Sequence, residues 1–223
     1  MKKTAQRKAA RDPEGTRRRL IDATLQLMLR QGFAGTSVDQ ICAEAGLTKG
    51  SFFHHFAGKE AIGQAAVEAW GAFGTALYAE AWADESRDPR EQLRHFFNIM
   101  IVFTERPDQV CTCMVGMMSQ ELAQTHPAMR AECARQLDNW TANTARMLAA
   151  AKARHCPGAE FDPDQVAWFL NSLWQGSMLV GKTKQQPAII RRNLELARDW
   201  VESLLGAPDN SQPKKQPAPK SKR

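Results

Sequence analysis

The chain has 223 residues, a formal net charge of +6 and a hydrophobic share of 43%, which suits one large domain or a small domain joined to a larger one, with a packed core. The longest uncharged stretch, 165–181, contains Asn171, Ser172 and Gln175 and is short for a membrane span, so no membrane partner is expected. Five cysteines are an odd number, and the Lys-rich start runs into charged residues rather than an apolar leader, which indicates free thiols in a reducing cytoplasm.

The positive charge lies at the two ends of the chain. Residues 1–20 hold eight basic and two acidic residues, and 207–223 hold five basic and one acidic, so the middle carries −4. We expect 1–15 to be a basic flexible arm and 206–223, rich in Pro, Lys, Gln and Ser, to be a disordered basic tail. A basic end on an acidic body predicts a polyanion bound at that end, although tails that only aid solubility would show the same pattern.

Helical periodicity dominates from residue 16 onward, and no alternating strand pattern stands out. The first predicted helix covers 16–31 and ends at Gly32. Ser37 and Gln40 have capping-box spacing for a second short helix that ends at Gly46, and Thr48 can cap a third helix to about His54. A short helix, a glycine turn and another short helix have helix-turn-helix spacing. A longer helix is predicted from 58 to about 82.

Proline at the first helical position marks most of the later helices, which are predicted at 89–104, 127–154, 163–182 and 187–205. Another helix is expected over 113–124. The prediction is an all-α protein in which an N-terminal three-helix helix-turn-helix unit (16–62) precedes a larger helical body (63–205).

Residues 16–62, TRRRLIDATLQLMLRQGFAGTSVDQICAEAGLTKGSFFHHFAGKEAI, resemble the DNA-binding domain of TetR/AcrR transcriptional repressors. The matching features are the basic start of the first helix, Gly32-Phe33 with Thr36, Ala45-Gly46, Lys49-Gly50-Ser51, and Phe56 with Lys59-Glu60. The resemblance implies a homodimer with the helix from Thr48 to His54 in the major groove and a small-molecule site in the C-terminal domain.

By the same resemblance, Phe52 and Phe56 pack the reading helix against its neighbours. Some side chains contact phosphate and position the protein, while others read base edges. Phe53 stands where the family often has Tyr, so one phosphate hydrogen bond is missing. The side chains of His54 and His55 point about 100° apart on a helix, which disfavours a shared metal site. The alternative to DNA contact is a surface or packing role for each histidine. The predicted DNA contacts are Thr36, Thr48, Lys49, Ser51, Phe53, His54, His55 and Lys59.

In the body, apolar rings and soft thioethers suit an adaptable cavity, although an ordinary core would show the same residues. The predicted ligand contacts are Phe96, Met100, Phe103, Cys113, Met114, Met117, Trp140, Trp174 and Met178. Segment 165–181 is apolar nearly all round, and the family resemblance implies a homodimer through the last two helices, 163–182 and 187–205. No cofactor and no metal are expected.

The segment CTCMVGMMSQELAQTHPAMR resembles one TetR branch in which some regulators respond to electrophiles or oxidants through a cysteine at this place. Cys113, in the first turn of a predicted helix, is near aligned N–H groups, which favour the thiolate that electrophiles attack. A buried cysteine is alternatively a small apolar residue.

Two other functions remain open at this point. An enzyme with a helical cavity lacks a readable nucleophile–base arrangement, and His95, His126 and His155 have no evident partners in the sequence. A DNA-binding protein without an effector would need a solidly packed body.

Overall fold

The computed structural model describes residues 12–84, 86–105 and 112–206, and within these ranges the chain forms nine α-helices and no strand. The all-α prediction is therefore confirmed. The helices are α1 (Pro13–Gln31), α2 (Val38–Ala45), α3 (Lys49–His55), α4 (Lys59–Ala83), α5 (Pro89–Thr104), α6 (Met114–Leu122), α7 (Pro127–His155), α8 (Pro163–Lys184) and α9 (Pro187–Leu204).

The first helix begins earlier than predicted. Asp12 caps it by accepting a hydrogen bond from the Gly15 N–H at 2.9 Å, and Pro13 occupies the first turn. An Asp-Pro pair starts α5 and α8 in the same way, so the sequence contained this signal. Residues 13–15, which were predicted to belong to the arm, are consequently helical, and Asp12 is their N-cap. The rest of the predicted arm (1–11) and of the tail (207–223) lies outside the described residues, as does 106–111.

Helices α1 to α3 and the start of α4 enclose one core. Ser37 and Gln40 form the reciprocal capping box at the start of α2. Gly46 ends that helix in the left-handed conformation (φ 62°, ψ 40°), which turns the chain toward α3 at no steric cost. The buried side chains come from all four helices and are Leu20, Ile21, Ala23, Leu27, Ile41, Cys42, Ala45, Phe52, Phe56, Ile62 and Ala65.

The body is built around α7, a 29-residue helix that packs against α4, α5, α6 and α8. Its largest core joins α4, α5, α7, α8 and α9, with Phe96, Met100 and Leu148 fully or almost fully buried. Within the described ranges, no helix is both long and apolar enough to cross a membrane.

A third core cluster joins the front of the chain to the body. Met28 from α1 and Phe33 from the following turn are 0% and 4% exposed, and they pack with residues of α4, α6 and α7. On the body side, the cluster contains Met114, Val115, Met118, Leu122, Met129 and Cys133. The three front helices are thus packed onto the body through buried side chains.

Candidate DNA-reading helix and effector cavity

Helix α3 projects its first and last turns into solvent. Thr48 caps it, with its hydroxyl oxygen accepting from the Ser51 N–H at 3.2 Å. Thr48, Lys49 and His54 are exposed, while Ser51 and His55 are half-buried. Six of the predicted DNA contacts, including Phe53, therefore lie on this short helix or at its N-cap.

The buried side of α3 fixes its orientation. Phe52 is fully buried and Phe56 is 6% exposed, and their ring centroids lie 5.9 Å apart. Phe53, by contrast, is 57% exposed, with its ring edge-on to Phe52 at 5.2 Å. Packing on one side leaves Phe53 on the solvent side with Lys49.

Lys49 forms an ion pair with Asp39 of α2, with Nζ 2.7 Å from the carboxylate. The hydrogen bond to Asp39 raises the pKa of Lys49, so the ammonium is retained. Both side chains are well exposed, and exposed pairs contribute little to stability. The pair instead orients Lys49 at the start of α3.

Thr36 and Lys59 have partners inside the protein. The Thr36 side chain is buried, and its hydroxyl donates to the Gly32 carbonyl at 2.7 Å. Lys59 Nζ donates to the carbonyls of Phe33 and Thr36 at 3.0 Å each, and it lies 4.3 Å from the Phe33 ring centroid. Their side chains hold the turn between α1 and α2. The Thr36 hydroxyl proton is thereby used, whereas the Lys59 ammonium has three N–H donors and only two of these acceptors. Their contact with phosphate stays a prediction.

A cavity of about 80 Å³ opens between α4, α7 and α8. Its described wall carries no charged side chain, so burying an ionised ligand there would be costly. Seven aromatic rings line it: Trp70, Phe73, Tyr78, Trp82, Phe103, Trp140 and Trp174.

The polar side chains of the cavity wall are uncharged, and they belong to Thr75, Tyr78, Gln136, Asn139, Asn171 and Gln175. Burial raises the pKa of Tyr78 well above its usual range, so the phenol stays neutral. Among the described residues, the buried indole N–H groups of Trp82 and Trp140 have no hydrogen-bond partner. The Asn171 amide is already committed, since it donates to the Thr141 hydroxyl at 2.8 Å. Those two indole N–H groups are therefore unpaired donors on the described wall of the cavity.

The predicted ligand contacts divide into three groups. Phe103, Cys113, Trp140, Trp174 and Met178 line the cavity. Met117 lies instead in an outer groove between α6 and α8. Phe96, Met100 and Met114 are fully or almost fully buried and line neither space, because they belong to the packed core clusters.

Sequence reasoning missed the contribution of α4. Trp70, Phe73, Leu77, Tyr78 and Trp82 line the cavity from one face of that helix. Trp70, Phe73 and Leu77 are three and four residues apart, and Tyr78 and Trp82 are four apart, so the helical stripe was visible in the sequence. What could not be read was which of several apolar stripes surrounds a void.

Cys113 lies on the wall shared by the cavity and the outer groove. It is the N-cap residue of α6, half-buried, and its sulfur accepts from Gln175 Nε2 at 3.5 Å. Lys182 lines the same groove, with Nζ 3.6 Å from the Met117 sulfur. A thiol here is accessible from both sides.

The other described cysteines have different surroundings. Burial raises the pKa of the Cys133 thiol, and burial together with the nearby Asp39 charge raises that of Cys42. Cys156 is half-buried at the far end of α7. Cys111 lies outside the described residues. Among those that are described, no group of three or more potential metal ligands comes together.

Two family models match this arrangement. Residues 20–66 match the model for bacterial regulatory proteins of the tetR family, and 89–197 match the tetracyclin repressor-like C-terminal domain. The chain belongs to the TetR family. The first match covers α2, α3 and most of α1, and the second covers most of the body.

TetR-family relatives share the full architecture. The transcriptional regulator AcuR of Cereibacter sphaeroides is 31% identical over 75% of this chain and 77% of its own. The transcriptional repressor DhaR of a Mycobacterium species is 26% identical over 88% of this chain and 90% of its own. A crystal structure of a regulatory protein TetR from Rhodobacter sphaeroides aligns with a TM-score of 0.73 at 28% identity, covering 82% of this chain and 96% of that one. These relatives are transcriptional regulators, and so is this protein.

Proposed function

We propose that the protein is a homodimeric repressor that binds operator DNA through α3 and releases it when a small neutral molecule occupies the aromatic cavity. The observation that carries this proposal is the presence, in one chain, of an exposed helix of polar residues and an uncharged cavity lined by seven aromatic rings. A regulator without an effector would not need such a void, because voids in a core cost stability.

In this proposal, α3 enters the major groove. Thr48, Ser51 and His54 read base edges, while Lys49 and His55 bind phosphate and Phe53 stacks on the sugar. Binding to phosphate releases counterions and is therefore weakened steeply by salt. Because the relevant side chains lie within seven residues, one subunit reads only a few base pairs. Specificity then requires a second copy at a matching spacing.

We infer that the second copy binds the outer faces of α8 and α9. These helices expose large apolar side chains that a monomer rarely leaves in water: Trp168, Phe169, Leu179, Val180, Leu196 and Trp200. The rings of Phe169 and Trp200 contact each other across the two helices at 5.0 Å, so the apolar face is continuous. Two such pairs form a four-helix interface.

We further propose that Cys113 reacts with electrophilic effectors. A conjugated carbonyl compound is neutral and flat, which suits the aromatic wall, and its oxygen can accept from the Trp82 N–H. In the reaction, the Cys113 sulfur bonds to the β carbon, the C=C π bond breaks, and the thiol proton moves to the α carbon. A thiol that faces both cavity and groove is accessible to such a compound.

We infer that the protein is not an enzyme and that it acts in the cytoplasm, where the genome is. His95 and His155 lie beside Glu80 and Asp88 at 3.8 and 2.8 Å, and neither lines the cavity. Their described partners support structural roles. Turnover of a bound compound would contradict this inference.

The test begins with DNA selected from a random pool by the purified protein. We expect a selected sequence with two-fold symmetry, and an affinity for it that falls steeply between 50 and 200 mM salt. Addition of 1,4-naphthoquinone should release the DNA and raise the melting temperature. Failure to enrich any sequence, or an affinity independent of salt, would contradict the proposal.

A further inference from the structure

A carboxylate from the body is bound by backbone N–H groups of the DNA-binding front. Glu121 is the next-to-last residue of α6, and its two oxygens accept from Phe33 N at 2.9 Å and Ala34 N at 2.6 Å. Two consecutive N–H groups that converge on one anion form a recognised anion-binding geometry. Hydrogen bonds to a charged acceptor are also stronger than neutral ones.

The turn that supplies these N–H groups is shaped to admit the carboxylate. Gly32, directly before them, has φ +78°, and a Cβ atom there would lie 2.9 Å from a Glu121 oxygen. A side chain at this position would be strained by the backbone and would also crowd the carboxylate. Glycine removes both obstacles.

The local preference of α6 opposes this placement. A negative charge near the C-terminus of a helix is unfavourable, because the last carbonyls already carry partial negative charge. Glu121 stands in this position with Leu122 as the final residue of the helix. A residue that breaks a local rule indicates a tertiary reason for its presence. Here that reason is the contact with the front domain.

The same turn is attached to the rest of the front domain. Lys59 at the start of α4 donates to the Phe33 and Thr36 carbonyls, and the Thr36 hydroxyl donates to the Gly32 carbonyl. The turn therefore connects the end of α1 with the starts of α2 and α4. A force applied to it through Glu121 acts on the domain that carries α3.

The opposite end of α6 lies at the effector site. Cys113 caps the helix and lines both the cavity and the outer groove. Eight residues at 1.5 Å each separate Cys113 from Glu121 by about 12 Å along one helix. A helix of this length moves as one piece, so displacement at Cys113 reaches Glu121.

We propose that Glu121 is the positioning residue that couples the effector site to the DNA-binding domain. Its carboxylate holds the turn 32–34 in the orientation that binds DNA, and a ligand that shifts α6 alters this contact. The coupling rests on the proposed function, since it requires that the cavity regulates DNA binding. The two bound states must differ in this contact, because an effector shifts an equilibrium only through such a difference.

The test uses Glu121→Gln, Glu121→Asp and the charge-matched control Glu160→Gln in the full chain. Glu160 is exposed in the loop after α7, at the end of that helix away from the front domain. Glu121→Gln keeps the shape and replaces one acceptor by a donor that opposes the N–H groups. Glu121→Asp keeps the charge but is too short to reach both of them.

Three quantities are measured for each variant: amide hydrogen exchange of residues 33 and 34, operator affinity, and the factor by which N-ethylmaleimide lowers that affinity. We expect both Glu121 variants to exchange these amides at least tenfold faster and to lose at least threefold of the N-ethylmaleimide factor. The control should match the parent, and equal labelling of Cys113, checked by mass, should hold in all proteins.

The outcomes separate the two proposals. If N-ethylmaleimide leaves the affinity of the parent unchanged, release through Cys113 is wrong, and the Glu121 contact is then decided by exchange and affinity alone. The coupling role is overturned if both Glu121 variants keep the parent's amide exchange rates and operator affinity. Where N-ethylmaleimide does lower the affinity of the parent, the role is also overturned if both variants keep the parent's N-ethylmaleimide factor. A Glu121→Asp protein that behaves like the parent also overturns it, because only the charge would matter.

Discussion

The Lys49 ammonium lies 2.7 Å from the Asp39 carboxylate, across the two short helices of the helix-turn-helix. Asp39 is the second residue of α2, and Lys49 is the first residue of α3. The pair therefore orients a cation at the start of the reading helix. In a DNA complex, a phosphate can replace the carboxylate as its partner.

Replacing Lys49 by alanine should weaken binding to all DNA sequences by a similar factor. Each lost phosphate contact lowers the salt slope by about 0.9, so a dimer should lose about 1.8. Fluorescence anisotropy between 50 and 300 mM salt measures this slope. Arg154→Ala, an exposed cation at the far end of α7, is the control. An unchanged slope would remove Lys49 from the interface.

Replacing Cys113 by serine should prevent release of operator DNA by a maleimide or a quinone. The serine hydroxyl is a poor nucleophile for conjugated carbonyls, while its size preserves the packing at the start of α6. Promoter release in a mobility-shift assay measures the effect. Cys156→Ser removes another half-buried thiol away from the cavity and should behave like the parent. Equal release by all three proteins would end the thiol hypothesis.

Replacing Trp82 by phenylalanine should weaken binding of a carbonyl ligand without destabilising the free protein. The change removes a buried N–H that has no partner and keeps an aromatic ring. A hydrogen bond contributes about 1 kcal/mol, so about a fivefold loss of affinity for 1,4-naphthoquinone is expected in a Cys113→Ser background. Calorimetry measures it, and Trp70→Phe is the control. A larger loss for Trp70 than for Trp82 would contradict the assigned role.

A charge on the outer face of α9 should separate the dimer. Trp200 is 39% exposed in the single chain and contacts Phe169. Trp200→Glu would bury a carboxylate at the interface, and a central aromatic residue contributes about 2 kcal/mol or more, which is about 30-fold in the dimer Kd. Sedimentation velocity measures this. Val102→Glu, at an exposed apolar residue of α5, should leave the dimer intact.

Replacing Asp88 by asparagine should reduce stability at neutral pH but not in acid. Burial opposes ionisation of Asp88, yet the N–H groups of Arg90 and Glu91 and the hydrogen bond to His155 lower its pKa below 3.8. The charged form thus contributes stability above pH 3.8, and this contribution is lost as the pH falls through the lower folded pKa. Urea unfolding from pH 7 to pH 3 should show a difference of about 1 kcal/mol that shrinks toward acid.

Asp162→Asn is the matched control for that experiment. Asp162 caps α8 as Asp88 caps α5, but within the described residues no histidine is hydrogen-bonded to it. Its loss should be smaller and less dependent on pH. A pH-independent loss at Asp88 would show that the charge is not responsible.

Local signals in the sequence predicted most of the fold. The capping box at Ser37, the turn at Gly46 and the proline starts each depend on residues within four positions, so they are readable without tertiary knowledge. Helix α3 with its Thr48 cap was predictable for the same reason. The hydrogen bonds from Thr36 and Lys59 to internal carbonyls were not predictable, because those bonds depend on how the turn packs.

The cavity and the Glu121 contact were beyond sequence reasoning. Phe96 and Phe103 are both apolar residues of α5, yet only Phe103 lines the void. Phe96 instead packs against the rings of Tyr78, Trp82 and Trp140, which come from other helices. Glu121 lies 87 and 88 residues from its two donors, and no local pattern connects residues so distant.

The third core cluster, which contains Met28 and Phe33, limits how far the front of this regulator can be separated from its body. In the intact chain, the side chains of Met28 and Phe33 are only 0% and 4% exposed. Cutting the chain after residue 62 would expose both of them to water. The isolated N-terminal fragment would aggregate rather than bind DNA. A chimera built with a foreign effector domain would therefore have to inherit the α6 and α7 surfaces that cover those two residues.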